Sequence, residues 1–448
     1  MKKRHLKILS LAAGMILCLG ATAGAKAVEP AYRMVTEVYD WGAATPRVIV
    51  DLGKDIKADS VSRDTFKVYV KRNIPPEKGS VQAKEMEKRL SASEKAEKGI
   101  EGYRDITKVY VTDKDGNIAK QGRYVVIEMK VGPTVILGSP LNFSMKTMLN
   151  TWIQCDYTIT QTKDIQTERG KLKRLVVTKS EGNIRPVVDE FAFGEQINDN
   201  ITLHYAEFTP AKDQKKNPLI IWLHGMGEGG TDPTVPISAN KACAFATPQI
   251  QSYFGGAYVL VPQTPTFWMD GFKSFGDGTS KYEKSLIALI QNYVASHKDI
   301  DPQRIYMGGD SNGGYMTMVL IRDYPQYFAA AFPTCEALAD KLISDQEIQA
   351  MKNVPIWFTA AKTDPVVPVA DYVLPTYQRL LAVGAQNVHL SLFENVHDTT
   401  GLYADSTGKP FEYNGHWSWI YVYNNECVNT IDGKKVTLME WLAAQKLK

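Results

Sequence analysis

Hydrophobic positions fall into two patterns along the chain. From residue 28 to about residue 190 they form short β-branched or aromatic runs: Val48-Ile49-Val50, Phe66-Lys67-Val68-Tyr69-Val70, Val109-Tyr110-Val111, Tyr124-Val125-Val126-Ile127-Glu128-Met129 and Leu175-Val176-Val177. Turn formers, among them Asp113-Lys114-Asp115-Gly116-Asn117, separate several of these runs. Many short strands with such punctuation predict an all-β sandwich. Lys84 to Lys98 breaks the pattern with five basic and four acidic residues and reads as an exposed helical insertion or a solvated loop. The Asp113–Asn117 run is a turn and not a calcium loop, because Ile118 and Tyr124 stand where such a loop needs Gly and a bidentate Glu.

From about Phe191 the pattern becomes one of strands alternating with amphipathic helices. Buried-strand runs are read at Pro218–Leu223, Ala257–Pro262, Arg304–Gly308, Phe328–Phe332, Val354–Phe358 and Val388–Phe393. Tyr282, Leu286, Leu289/Ile290 and Tyr293 recur at helical spacing, and Ser280 with Glu283 predicts a capping box before them. This alternation calls for a parallel sheet covered on both faces, with reactive groups beyond the carboxyl ends of its strands.

The 448 residues, 44% hydrophobic and 23% charged, exclude a disordered, collagen-like or coiled-coil chain. Lys2, Lys3, Arg4 and Lys7 precede an uncharged stretch from Ile8 to Ala25 that ends in small-residue patterns. That arrangement predicts a secretory signal peptide over residues 1–27. Its apolar core, Ile8 to Leu19, is short for a membrane span of about 20 residues. Without these residues Lys+Arg falls from 52 to 47 against 49 acids, so the net charge moves from +3 to −2. The formal positive charge therefore implies no nucleic-acid partner. A secreted or periplasmic protein is expected, free of the membrane once the signal is cleaved. Export permits disulfides, and Cys155, Cys243, Cys335 and Cys427 allow three pairings that sequence cannot choose among. No CxxC or Cys/His cluster points to a metal.

Gly309-Asp310-Ser311-Asn312-Gly313 follows a predicted strand and opens a predicted helix over Tyr315–Ile321. A GxSxG run in that setting forms a sharp turn that projects the serine Oγ above the sheet. A serine hydroxyl needs a base, and the base needs an orienting acid. Asp364, in Thr363-Asp364-Pro365 after the Val354–Phe358 strand, stands where the acid is expected. Two histidines are candidates for the base: His397, at the usual short distance past the last strand, and His416, beyond a polar loop from Thr399 to Pro410. Strand spacing favours His397. The loop His224-Gly225-Met226-Gly227-Glu228-Gly229-Gly230 can supply the Met226 N–H, with that of Asn312, to an oxyanion. Phe267-Trp268-Met269 and Phe272 either wall an acyl pocket or pack the core.

His224–Glu228, Arg304-Ile305-Tyr306, Gly309–Gly314, Thr363–Pro368 and His416-Trp417-Ser418-Trp419 resemble the secreted bacterial EstA-type esterases, which are akin to polyhydroxybutyrate-depolymerase and prolyl-oligopeptidase-like hydrolases. The resemblance is specific from about Pro218 onward and looser over residues 30–190, where it rests on Val38-Tyr39-Asp40-Trp41-Gly42 and the strand pattern. It implies an immunoglobulin-like β-sandwich domain (28–190) followed by an α/β-hydrolase catalytic domain (191–448). It also implies a base followed closely by Ser-Trp, which carries over to His416. The expected function is a serine esterase with Ser311, Asp364 and His416 as triad and Met226 and Asn312 as oxyanion donors. It would need no cofactor or metal and would act on a small ester or an ester-decorated polysaccharide. A prolyl-oligopeptidase-type peptidase is the rival enzyme, although about 160 residues cannot supply a propeller. A catalytically inactive glycan- or partner-binding protein is the rival of another class.

Overall fold

Along Phe66–Asn73 every second side chain is buried, the period a pleated strand imposes when one face meets a core. The computed structural model describes residues 29–75 and 91–447; the expected signal peptide, and the charged insertion up to Leu90, lie outside the described residues. The remainder of that insertion forms a short helix, Ala92–Glu97. Phe66–Asn73 belongs to a four-stranded sheet with Glu101–Arg104, Gln154–Gln161 and Val176–Val177. A seven-stranded sheet, built around the antiparallel pairs of Gly42–Lys57 with Ala31–Tyr39 and with Gln121–Met129, faces it. Val48, Val50, Val68, Val70, Val125, Ile127, Tyr157 and Ile159 meet between them in one buried cluster. At Asp113 the carboxylate accepts the N–H groups of Asp115 and Asn117, as a turn requires.

The third sheet has eight strands in the spatial order Ala192–Asn198, Ile201–Phe208, Tyr258–Gln263, Asn217–Leu223, Ile300–Asp310, Ala330–Thr334, Ile356–Ala361 and Val388–Phe393. The first two pairings are antiparallel and the remaining five parallel. Asn217–Leu223, Tyr258–Gln263 and Ile356–Ala361 are buried at every position, which is why they read as continuous apolar runs. Each face of the sheet has its own core. Helices Glu283–Ser296 and Asn312–Asp323 cover one, while Ala242–Phe245 and the Trp419–Tyr423 and Leu438–Ala444 helices cover the other. This is the α/β-hydrolase fold behind an immunoglobulin-like sandwich.

Some local expectations differ from what forms. The Ser280/Glu283 capping box is absent. Ser280 Oγ instead accepts the Tyr282 N–H at 3.2 Å, and Glu283 N–H meets Ser280 O in a turn, so the helix starts at Glu283. The strand through Arg304–Gly308 is longer than its apolar run, from Ile300 to Asp310. All four described cysteines are buried free thiols, so none of the three pairings forms. No helix among the described residues is long and apolar enough to cross a membrane.

The sandwich is fastened to the large sheet's layer by polar contacts at two places. Buried Asp40 accepts from Lys241 Nζ at 2.5 Å and from Asn424 Nδ2 at 3.0 Å. A hairpin of Leu141–Ser144 and Leu149–Trp152 reaches the other place, where Trp152 Nε1 donates to Thr234 Oγ1 at 2.7 Å and Asn150 Nδ2 to Glu228 Oε1 at 3.0 Å.

Candidate active site

The strand Ile300–Asp310 runs into the helix Asn312–Asp323 with a single residue between them. That residue, Ser311, takes φ 55° and ψ −113°, a conformation costing a non-glycine residue about 1–3 kcal/mol. The turn survives because its neighbours are glycines. A Cβ on Gly313 would lie 1.9 Å from the Leu223 carbonyl oxygen, and one on Gly309 would lie 2.6 Å from the Gly313 backbone. Gly313→Ala must therefore lift the helix off the adjoining strand. The expected result is a destabilisation of about 3 kcal/mol, read by chemical denaturation. An unchanged midpoint would show that the turn has slack.

His416 bridges Ser311 and Asp364. Its Nε2 is 2.9 Å from Ser311 Oγ and its Nδ1 is 2.8 Å from Asp364 Oδ2. The other carboxylate oxygen of Asp364 accepts the N–H groups of Val366 and Val367, at 2.8 and 2.9 Å, in the turn after Ile356–Ala361. Asn414 caps the short 3₁₀ turn Gly415–Trp417, its side chain accepting the His416 N–H at 2.9 Å. All three side chains are buried, with Ser311 9% exposed.

His397 lies elsewhere. Its Nδ1 sits 3.1 Å from the Tyr421 hydroxyl and 3.2 Å from Asn395 Oδ1, away from Ser311 and Asp364, which His416 joins. A two-residue antiparallel pairing, Val396–His397 with Glu412–Tyr413, closes off the polar loop between them and delivers the chain to His416.

Met226 begins a 3₁₀ turn after Asn217–Leu223, and Asn312 is the first residue of its helix. Among the described residues neither backbone N–H meets a protein acceptor. His224, read in the sequence only as part of the loop motif, and Trp268, read as a pocket wall or a core residue, hold these donors in place. His224 Nδ1 lies 2.6 Å from Gly225 O, and its Nε2 accepts the Thr264 N–H at 3.2 Å, which puts the ring proton on Nδ1. Burial pulls its pKa down to about 4, so the ring stays neutral. Trp268 donates its backbone N–H to Asn312 Oδ1 at 2.6 Å and its indole N–H to His224 O at 3.1 Å. Trp268 and Met269 are thus core residues. Phe267 and the exposed Phe272 lie against each other nearer the surface, their rings tilted and the centroids 4.8 Å apart. No group of three or more His, Cys, Asp or Glu able to hold a metal occurs among the described residues.

A serine at a strained strand-to-helix turn, hydrogen-bonded through a histidine to a carboxylate, is the constellation of α/β hydrolases. Family comparison narrows the class. The Esterase Ig-like N-terminal domain family matches residues 31–174, and the Phospholipase/Carboxylesterase family matches residues 204–401. The chain thus carries an esterase-type immunoglobulin-like domain followed by a carboxylesterase-type hydrolase domain. A solved structure described as a thermostable esterase superposes with a TM-score of 0.72 at 25% identity, covering 93% of this chain and 99% of its own. Feruloyl esterase B of Neurospora crassa is 30% identical over 127 residues, which is 28% of this chain and 40% of that enzyme. The chain thus matches less than half the length of that relative.

Proposed function

We propose that this protein is an exported serine hydrolase that cleaves carboxylic esters through an acyl-enzyme. Ser311 Oγ attacks the ester carbonyl while His416 Nε2 takes its proton. Asp364 holds the Nδ1–H tautomer and stabilises the imidazolium. The N–H groups of Met226 and Asn312 receive the oxyanion of the tetrahedral intermediate. His416 then protonates the leaving alcohol, and water releases the acid by the same route in reverse. The observation that carries this reading is the His416 bridge, 2.9 Å to Ser311 and 2.8 Å to Asp364.

The likeness to a feruloyl esterase supports feruloyl esters as one substrate class, with short-chain esters as the default. Export rests on the basic and apolar start of the chain. We place the junction of the two domains near residue 190, between Ser180–Ile184 and Ala192–Asn198. The test is covalent. A fluorophosphonate is expected to add once per chain, on the peptide containing Ser311, and to abolish hydrolysis of 4-nitrophenyl acetate, butyrate and octanoate together. Labelling elsewhere, or hydrolysis surviving complete labelling, would overturn the assignment.

A further inference from the structure

Two carboxyl groups that take no part in the chemistry above lie beneath it. Glu228 ends the turn that carries the Met226 N–H, and Asp310 immediately precedes Ser311; both are almost wholly buried, at 2% and 0% exposure. They flank the backbone of Gly225. A Cβ there would lie 2.7 Å from Asp310 Oδ2 and 3.0 Å from Glu228 Oε2. Asp310 Oδ2 accepts from Asn240 Nδ2 at 3.0 Å, and Glu228 Oε1 accepts from Asn150 Nδ2 at 3.0 Å. The Trp222 indole N–H and the Gly225 N–H also face the Asp310 carboxylate, but among the described residues Glu228 Oε2, Asp310 Oδ1 and the neighbouring Tyr423 hydroxyl make no hydrogen bond within 3.5 Å.

Among the described residues no cation forms an ion pair with either carboxyl. The titratable groups packed around the pair are Tyr423, Cys243 and Cys335, each buried and held neutral by that burial. His224, on the same loop, is neutral as well. Lys241, the residue after Asn240, is engaged by Asp40 and Asn424. Two unpaired carboxylates in so dry a site cannot both stay ionised, as in carboxylate dyads that keep one proton between them.

We propose that Glu228 and Asp310 are positioning residues that share one proton as an acid–carboxylate pair, fastening the oxyanion loop to the nucleophile turn, with Asn150 of the sandwich completing the pair from the other domain. Burial raises the affinity of both groups for a proton, and the charge of Asp310 raises that of Glu228 further. Losing the shared proton leaves two facing anions and forces the Met226 N–H away from Asn312. The sandwich thereby acts on the reaction through Asn150, since its donor favours the ionised form of Glu228. The functional part of this proposal rests on the esterase reading; the shared proton does not.

The experiment uses the full-length protein with Glu228→Gln, Asp310→Asn and Asn150→Ala, and follows an aliphatic ester by pH-stat from pH 6 to 10. Wild type is expected to lose kcat on the alkaline side with little change in KM. Whatever its activity at pH 7, Glu228→Gln is expected to carry that limb at least tenfold higher in hydroxide concentration, because its amide can donate to Asp310 without titrating. Asn150→Ala should lower kcat several-fold and also move the limb upward, as loss of a donor to the anion requires. A role in folding alone would lower activity evenly across pH. Limbs that superimpose in all variants overturn the proposal.

Infrared difference spectra give a readout that needs no activity. Wild type minus Glu228→Gln at pH 7 should contain the C=O stretch of one protonated carboxyl; its absence overturns the shared proton even if no ester is cleaved. If Glu228→Gln does not fold, spectra between pH 7 and pH 10 are compared for wild type and Asp310→Asn, and the band that differs between them is read, because buried Glu336, pushed up to about 8, loses a proton there in both. Stability provides a sign check. Both groups bind protons more tightly in the folded chain than in the unfolded one, so stability falls as pH rises from the ordinary carboxylate range toward their raised values, and Glu228→Gln should flatten that fall.

Discussion

Ser311→Ala is expected to lower kcat/KM for ester hydrolysis by about 10⁵-fold or more, with the fold intact. In the proposed mechanism the hydroxyl forms and breaks the covalent bond, and among the described residues no neighbouring side chain stands ready to replace it. Thr317 Oγ1 is committed to Gly313 O at 2.9 Å, and the thiol of Cys335 is buried and held strongly protonated. The residual rate would come from water attacking a carbonyl polarised by the Met226 and Asn312 N–H groups, which the substitution leaves in place. Such a hole without its nucleophile retains roughly 10³-fold over water. The backbone should tolerate alanine, because Ser311 anchors the turn through its main chain: its N–H donates to Thr334 O at 2.9 Å, and its carbonyl accepts from Tyr315 at 2.8 Å. The check is kcat/KM on a short ester beside a thermal melt. Turnover within tenfold of wild type in a normally melting variant would remove Ser311 from the mechanism.

The nucleophile turn was legible in the sequence because its determinants are local. Glycines at 309 and 313, a β-branched and aromatic run before them and an apolar helix after them all lie within about 20 residues. Asp364 was legible for a similar reason, as a loop residue just past a fully buried strand. The contact of His416 with Asp364 was not legible from spacing. What brings His416 to Asp364 is the pairing of Val396–His397 with Glu412–Tyr413 across a loop, and two residues of antiparallel register leave no periodic trace. The resemblance to a family carried that residue where strand counting pointed to His397. Least legible were Asn150, Asn240, Glu228 and Asp310. Their polar side chains are ordinary in sequence and acquire meaning when Gly225 brings two carboxyls from separate elements together, and when a hairpin of the other domain reaches one of them. The missing capping box has the same lesson on a small scale. Ser280 and Glu283 have the right spacing, but a turn closed by the Ser280 hydroxyl on Tyr282 uses the serine first.

Exchanging the two histidines separates the arguments that pointed to each. His416→Ala is expected to lose about 10⁵-fold in kcat, close to the Ser311 variant, because nucleophile and base act as a unit and their losses do not add. His397→Ala should change kcat by less than tenfold, since its ring contacts are Asn395 and Tyr421. Asp364→Asn probes the third member by a different route. Its amide oxygen can still accept the Val366 and Val367 N–H groups, so the turn is kept, but its NH₂ then faces His416 Nδ1 and must donate to it. The ring proton moves to Nε2, and Nε2 then points a hydrogen at Ser311 Oγ where it should present a lone pair. A loss of about 10⁴-fold is expected from that tautomer alone, with KM and the melting temperature little changed. The measurement is single-turnover kinetics of all three variants on one ester, which separates acylation from release. A dead His397 variant beside an active His416 variant would mean that the loop closed by Val396–His397 rearranges on binding substrate. Full activity in Asp364→Asn would mean that the imidazole is oriented by another group.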